Sequence, residues 1–176
     1  MISVQDIPQF PRSNWEVDVG WEYVDRFLDD WRAHEVNVVL EPDYQRGHVW
    51  TDDKRIAYIE YILQGGEVSR NITWNCPSWD ILTDPPHTME LVDGLQRLTA
   101  MQMFMSNKLK AFGHYRSEYK GTFRVYHGFK FRVLTLATRA DVLAFYLSLN
   151  GGGVVHTESE LNRVRALLEA EKAKKK

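Results

Sequence analysis

Two Gln-Arg pairs, Gln45-Arg46 and Gln96-Arg97, each sit between a strand-like apolar run and a helix-like pattern. Residues of these types suit phosphate chemistry. A guanidinium is a permanent cation with forked donors, and a side-chain amide can position water. In Leu91-Val92-Asp93-Gly94-Leu95-Gln96-Arg97-Leu98-Thr99 the apolar run stops at Asp-Gly and restarts as a helix. The first N–H groups of such a helix lack intrahelical partners and its dipole adds positive charge, so the turn can hold an anion such as phosphate. Arg97 either adds a cation there or lies on the surface. Asp93 suits two roles, capping the helix or holding a divalent cation against phosphate oxygens, for which a lone carboxylate with water ligands suffices. The other pair lies in Glu41-Pro42-Asp43-Tyr44-Gln45-Arg46-Gly47-His48-Val49-Trp50, after the strand-like Val36-Asn37-Val38-Val39-Leu40. Trp50 there either stacks on a base or packs against the next helix. Arginines on two separate elements can neutralise charge developing on a phosphoryl group without a covalent nucleophile. Asn150, ahead of Gly151-Gly152-Gly153, either reaches the same pocket or closes a helix.

The order P-x-Y-Q-R, then Trp, then V-D-G-x-Q-R-L-T, then the segment from Phe145 through Asn150 to Glu160-Leu161 resembles the ParB-like family that includes the N-terminal half of the modified-DNA restriction enzyme GmrSD. The resemblance spans roughly residues 36 to 168. It implies an α+β, ParB/sulfiredoxin-like single domain with a small mixed sheet packed by helices. It also implies a nucleotide site in which Gln45, Arg46, Asp93, Gln96 and Arg97 carry the catalysis. Tyr44, Gly94, Thr99 and Asn150 would contact the nucleotide, and Asp93 would hold magnesium. The implied ligands are a nucleoside triphosphate and Mg²⁺, bound and hydrolysed in a DNA-defence, phage or mobile-element setting. The alternative is a catalytically silent module that binds DNA or a partner protein. Family members usually read D-G-Q-Q-R, whereas this chain has Leu95 at the first glutamine position. If that glutamine orients water or a phosphate oxygen, its loss weakens hydrolysis while binding survives. Val155 likewise replaces a leucine, a change that stays apolar.

At 176 residues the chain has room for one domain with a real core. Hydrophobic residues at 44% and aromatics at 12% exclude a disordered chain. The formal net charge of −2 removes a globally basic surface as the basis for nucleic-acid binding. A local alternative is the basic stretch Arg116, Lys120, Arg124, Lys130 and Arg132. The lone Cys76 cannot form an internal disulfide and reads as a small buried hydrophobe, and six scattered His show no zinc spacing. With no signal segment and no membrane-length apolar run, a cytoplasmic protein is expected. Nothing resembles a second nuclease domain, so the expectation is either a stand-alone nucleotide-binding protein or the sensing half of a system whose effector is another polypeptide.

Pro8 and Pro11 predict an irregular N-terminal arm over residues 1–20, followed by the domain proper over 21–168 and a frayed lysine-rich tail over 169–176. Helical spacing at Trp21, Val24, Phe27, Leu28 and Trp31 predicts the first helix. Thr51 is placed to cap the second, which Gln64-Gly65-Gly66 ends. Strands are expected near 70–76 and 88–92, with a turn-rich stretch containing Asp84-Pro85-Pro86 between them. A central, largely buried helix follows Gly94 to about Asn107. Alternation in Thr122–Tyr126 and Phe129–Leu134 predicts a hairpin. Arg139–Leu149 forms a further helix, and Thr157 with Glu160 supplies a capping box for the last one.

Overall fold

A computed structural model describes residues 11–79, 88–123, 128–150 and 157–174. Within these, five strands form one mixed sheet: β1 (Trp15–Val19), β2 (Asn37–Val39), β3 (Asn71–Asn75), β4 (Thr88–Asp93) and β5 (Phe129–Leu134), in the order β1-β5-β3-β4-β2. β1 runs antiparallel to β5, β5 parallel to β3, β3 antiparallel to β4, and β4 parallel to β2. The helices are α1 (Val24–Ala33), α2 (Asp52–Leu63), α3 (Leu95–Met105), α4 (Arg139–Asn150) and α5 (Glu158–Ala173). This is the small mixed α/β domain expected from the sequence.

Strand alternation divides the core in two. Ile72, Trp74, Met89, Leu91, Phe129, Phe131 and Val133 point to one face, where they meet Leu28 of α1, Ile59 and Ile62 of α2, and Leu98, Met101 and Phe104 of α3. Val92 points the opposite way, into a smaller cluster with Tyr44, Val142, Leu143 and Tyr146 and with Val164 of α5. Aromatic packing ties the larger cluster together. Trp31 meets Trp74 edge-on at 5.3 Å, and Trp21 meets Phe104 at 5.8 Å.

The Thr51 hydroxyl accepts the Lys54 N–H, and the Thr157–Glu160 capping box is formed, as their positions predict. Cys76 is buried, and burial pushes its thiol up. Asp93 does not cap α3: Gly94 occupies the cap position with φ 116°, and the Asp93 carboxylate turns to Arg97 instead.

Two expectations about strands are corrected. Residues 15–19 are a strand rather than part of an irregular arm; Trp15, Val17 and Val19 face the core, and Glu16 and Asp18 face solvent. Among the described residues β5 has no hairpin partner from 122–123, and both its edges are taken, one by β1 and the other by β3. Thr122 and Phe123 are in no strand, while 124–127 lie outside the described residues. At the C-terminal end α5 continues to Ala173, carrying the ion pairs Lys172–Glu169 and Lys174–Glu171. The first ten residues with Pro8, the 80–87 stretch with Asp84-Pro85-Pro86, the glycines 151–153 with Val155, and Lys175–Lys176 also lie outside the described residues. No helix among the described residues is long and apolar enough to cross a membrane.

Candidate functional site

The strand-to-helix turn at Gly94 is tightly specified. Its φ of 116° is a conformation that L side chains rarely adopt, and a Cβ there would lie 2.7 Å from Ile72 Cδ1. This packing presses the start of α3 against β3 and opens the first turn of the helix onto a cavity of about 880 Å³, within the usual size of ligand sites. Arg46, Asp93, Gly94, Gln96 and Arg97 all line it, together with Gln45 and Asn150. The two Gln-Arg motifs, 51 residues apart in sequence, therefore line one cavity.

The glutamines hold backbone. Gln96 Oε1 accepts the N–H groups of Val49 and Trp50, both at 3.1 Å, and its Nε2 donates to the Gly47 carbonyl at 2.9 Å. All three partners belong to the loop that follows Arg46, so Gln96 fixes that loop to α3. Gln45 Nε2 donates to the Leu91 carbonyl on β4. Gln45 is held a second time by Arg163 of α5, whose Nη2 donates to the Gln45 carbonyl at 2.7 Å.

Charge in the cavity centres on Asp93. Arg97 Nη2 lies 2.5 Å from Asp93 Oδ2, one helical turn away, and Arg97 Nε is buried with no hydrogen-bond partner. Burial pushes the Tyr58 phenol up, against the pull of Arg97 and Arg70; burial also pushes the Tyr146 phenol up, against the pull of Arg46. Asp93 raises both phenols. Asp93, Tyr58, Arg97, Tyr146 and Arg46 all line the one cavity. Among the described residues no group of three or more His, Cys, Asp or Glu is arranged to hold a metal. The Asp93 carboxylate alone fits magnesium only as a shared site, completed by phosphate oxygens and water.

Two predicted contacts land differently. Tyr44 is 1% exposed and packs edge-on against Tyr146 at 5.1 Å, so it supports the cavity from beneath instead of lining it. Thr99 faces His48 at 3.4 Å, outside the cavity lining. Asn150 does both things expected of it, lining the cavity while its Nδ2 donates to the Tyr146 carbonyl at 2.8 Å. Leu95 belongs to the core cluster and also borders the cavity. Trp50 packs on the following helix, edge-on to Tyr58 at 5.3 Å, with Lys54 Nζ over its ring.

Sequence reading did not mark Lys54, Ala57, Tyr58 and Tyr61, which form the α2 wall of the cavity. The available signal was their helical spacing with Trp50, at positions 50, 54, 57, 58 and 61. Nor did it mark Tyr146 or Arg163, whose roles depend on contacts across the fold.

The basic stretch is largely neutralised. Glu16 and Asp18 stand opposite Arg132 and Lys130 in the β1–β5 register and pair with them, while Arg116 pairs with Glu22 at 2.5 Å. Arg124 lies outside the described residues.

No curated protein and no solved structure matches the chain. A family model does: residues 27–140, more than half of the chain, match the GmrSD restriction endonuclease N-terminal domain. The match begins inside α1, takes in both Gln-Arg motifs and ends as α4 begins, so the rest of α4 and all of α5 extend past it. With both motifs inside the matched region and converging on one cavity, the chain belongs to the family of GmrSD restriction endonuclease N-terminal domains.

Proposed function

We propose that the cavity binds a nucleoside triphosphate as part of a restriction system, with the phosphates at the Gly94 turn between Arg46 and Arg97. The observation that carries this reading is the convergence of two arginines from different elements on the N-terminus of α3. A helix start and two cations together favour a multiply charged anion over a neutral ligand. The partnerless Arg97 Nε is a donor that an incoming phosphate oxygen would satisfy. Asp93 would hold Mg²⁺ against the phosphates, and the ion, when bound, supplies charge neutralisation at the phosphoryl oxygens. Gln45 and Gln96 keep the Arg46 loop at the correct distance from the helix start.

Titration with ATP and GTP, with and without Mg²⁺, followed by tryptophan fluorescence and by release of inorganic phosphate, tests this. Binding below millimolar concentration supports the reading, and no binding of either nucleotide at millimolar concentration sinks it.

The apolar Leu95 at the turn favours a second reading, a module that binds DNA or a partner protein without turning nucleotide over. A salt-dependent shift of labelled DNA, with no phosphate release, would support it.

A further inference from the structure

The α2 wall ends at a tyrosine that is exposed yet immobilised. Tyr61 is 41% exposed, and its ring lies against Gly66 so closely that a Cβ on that glycine would fall 2.4 Å from the ring carbons. Its hydroxyl accepts the Val68 N–H at 3.1 Å. One turn away, the Tyr58 hydroxyl donates to the Ser69 carbonyl at 2.9 Å, where the backbone adopts φ 62°. Two tyrosines thus pin the loop after α2, and the loop in turn locks the Tyr61 ring in place.

The surroundings suit a flat apolar ligand group. Val68, 71% exposed, stands at the same rim, and Ala57 leaves open space on the α2 face beside Tyr61. An aromatic ring that is already fixed loses little conformational freedom on stacking, so contact with a heterocycle there comes at low entropic cost. Lys54 and Arg97 line the cavity from the first turns of α2 and α3, and Tyr61 lines it from the last turn of α2. A ligand filling both ends needs charge at one and an aromatic group at the other.

We propose that Tyr61 is the platform on which the base of a free nucleoside polyphosphate stacks, its phosphates reaching past Ala57 toward Gly94, Arg46 and Arg97. The proposal rests on the reading of the cavity as a nucleotide site. A single nucleotide is favoured over a nucleic-acid strand because Arg70, just before β3, and Lys130 and Arg132 of β5 are paired with Asp18 and Glu16. That surface does not present the run of unpaired cations that successive phosphates require.

The test is calorimetric titration of the full chain with ATP, GTP, inorganic tripolyphosphate and an oligothymidylate. The parent is expected to bind ATP and GTP about tenfold more tightly than tripolyphosphate, the margin that stacking of one base supplies. Tyr61→Leu should bring the nucleotides down to the tripolyphosphate level without changing tripolyphosphate binding, and Tyr61→Phe should retain the margin. Ala57→Leu, on an exposed helix face where folding is not at risk, should block nucleotides more than tripolyphosphate. Equal affinity for tripolyphosphate and ATP in the parent, or equal losses for both in Tyr61→Leu, overturns the platform and leaves the phosphate site standing. Binding of the oligothymidylate alone, or of nothing, overturns the platform and the nucleotide reading together.

Discussion

Gln96 binds the backbone of Trp50 across the cavity floor: its Oε1 accepts the Trp50 N–H at 3.1 Å, and the same side chain holds Val49 and Gly47. At 9% exposure it has become part of the scaffold, tying the Arg46 loop to α3. Its influence on a ligand passes through that loop.

Gln96→Ala should therefore lower stability as well as binding. Two part-buried backbone N–H groups and a carbonyl lose their partner, a cost of about 1–3 kcal/mol, or roughly 2–12 °C in Tm for a chain of this size. Urea denaturation compared with nucleotide titration checks this. Unchanged stability with lost phosphate release would instead give Gln96 a direct chemical role.

Arg97→Ala should do the reverse. Its partner Asp93 has a side chain 39% exposed and stays solvated, so stability should change by less than about 1 kcal/mol. Loss of a charge-assisted phosphate contact should weaken triphosphate binding about 10–100-fold. Equilibrium titration beside thermal unfolding separates the two effects, and a variant that fails to fold would make Arg97 a structural residue.

Leu95→Gln restores the usual family residue at a position 3% exposed. Burying an amide where the core holds an apolar side chain should cost about 1–3 kcal/mol. The end of the longer amide that faces the cavity can hydrogen-bond water or phosphate, and phosphate release should rise about tenfold, the equivalent of about 1.4 kcal/mol in the transition state. A phosphate-release assay on parent and variant decides it; no gain in rate would show that Leu95 is not what limits turnover.

Glu90 on β4 gives a pH prediction with a definite sign. Burial pushes its carboxyl above the ordinary value of 4.5, against the pull of Arg139. A raised folded pKa means the native state holds the proton longer than the unfolded chain does. The stability this contributes is fully present below 4.5 and is lost as pH rises through the folded value. Glu90→Gln should match the parent's stability near pH 4 and exceed it at pH 7, as read from urea midpoints at the two pH values. A variant less stable than the parent at pH 7 would show that the ionised carboxylate is held favourably.

Much of the local structure was legible in the residues themselves. Thr51 and Thr157 cap helices through contacts three residues away, and the apolar periodicities of α1, α3 and α4 identify helices because a helix must bury one face. The strand Asn71–Asn75 and the strand leading into Gly94 were legible for similar reasons. The two Gln-Arg motifs, with their spacing and order, indicated one shared pocket, and the fold brings them to one cavity.

Pairing and roles were decided only by the tertiary structure. β5 alternates equally well for a hairpin or for the β1–β3 slot, and the choice rests on which edges meet once Trp15, Val17 and Val19 enter the core. The same register places Glu16 and Asp18 against Arg132 and Lys130, turning a basic stretch into ion pairs. Gln96 became a clamp, Tyr44 a buried support and Tyr61 a fixed exposed ring because their partners lie far away in sequence or around a loop. Residue type and spacing determine what a side chain can bond to nearby. Which distant backbone group it meets depends on how the sheet and helices pack, and that is a property of the whole chain.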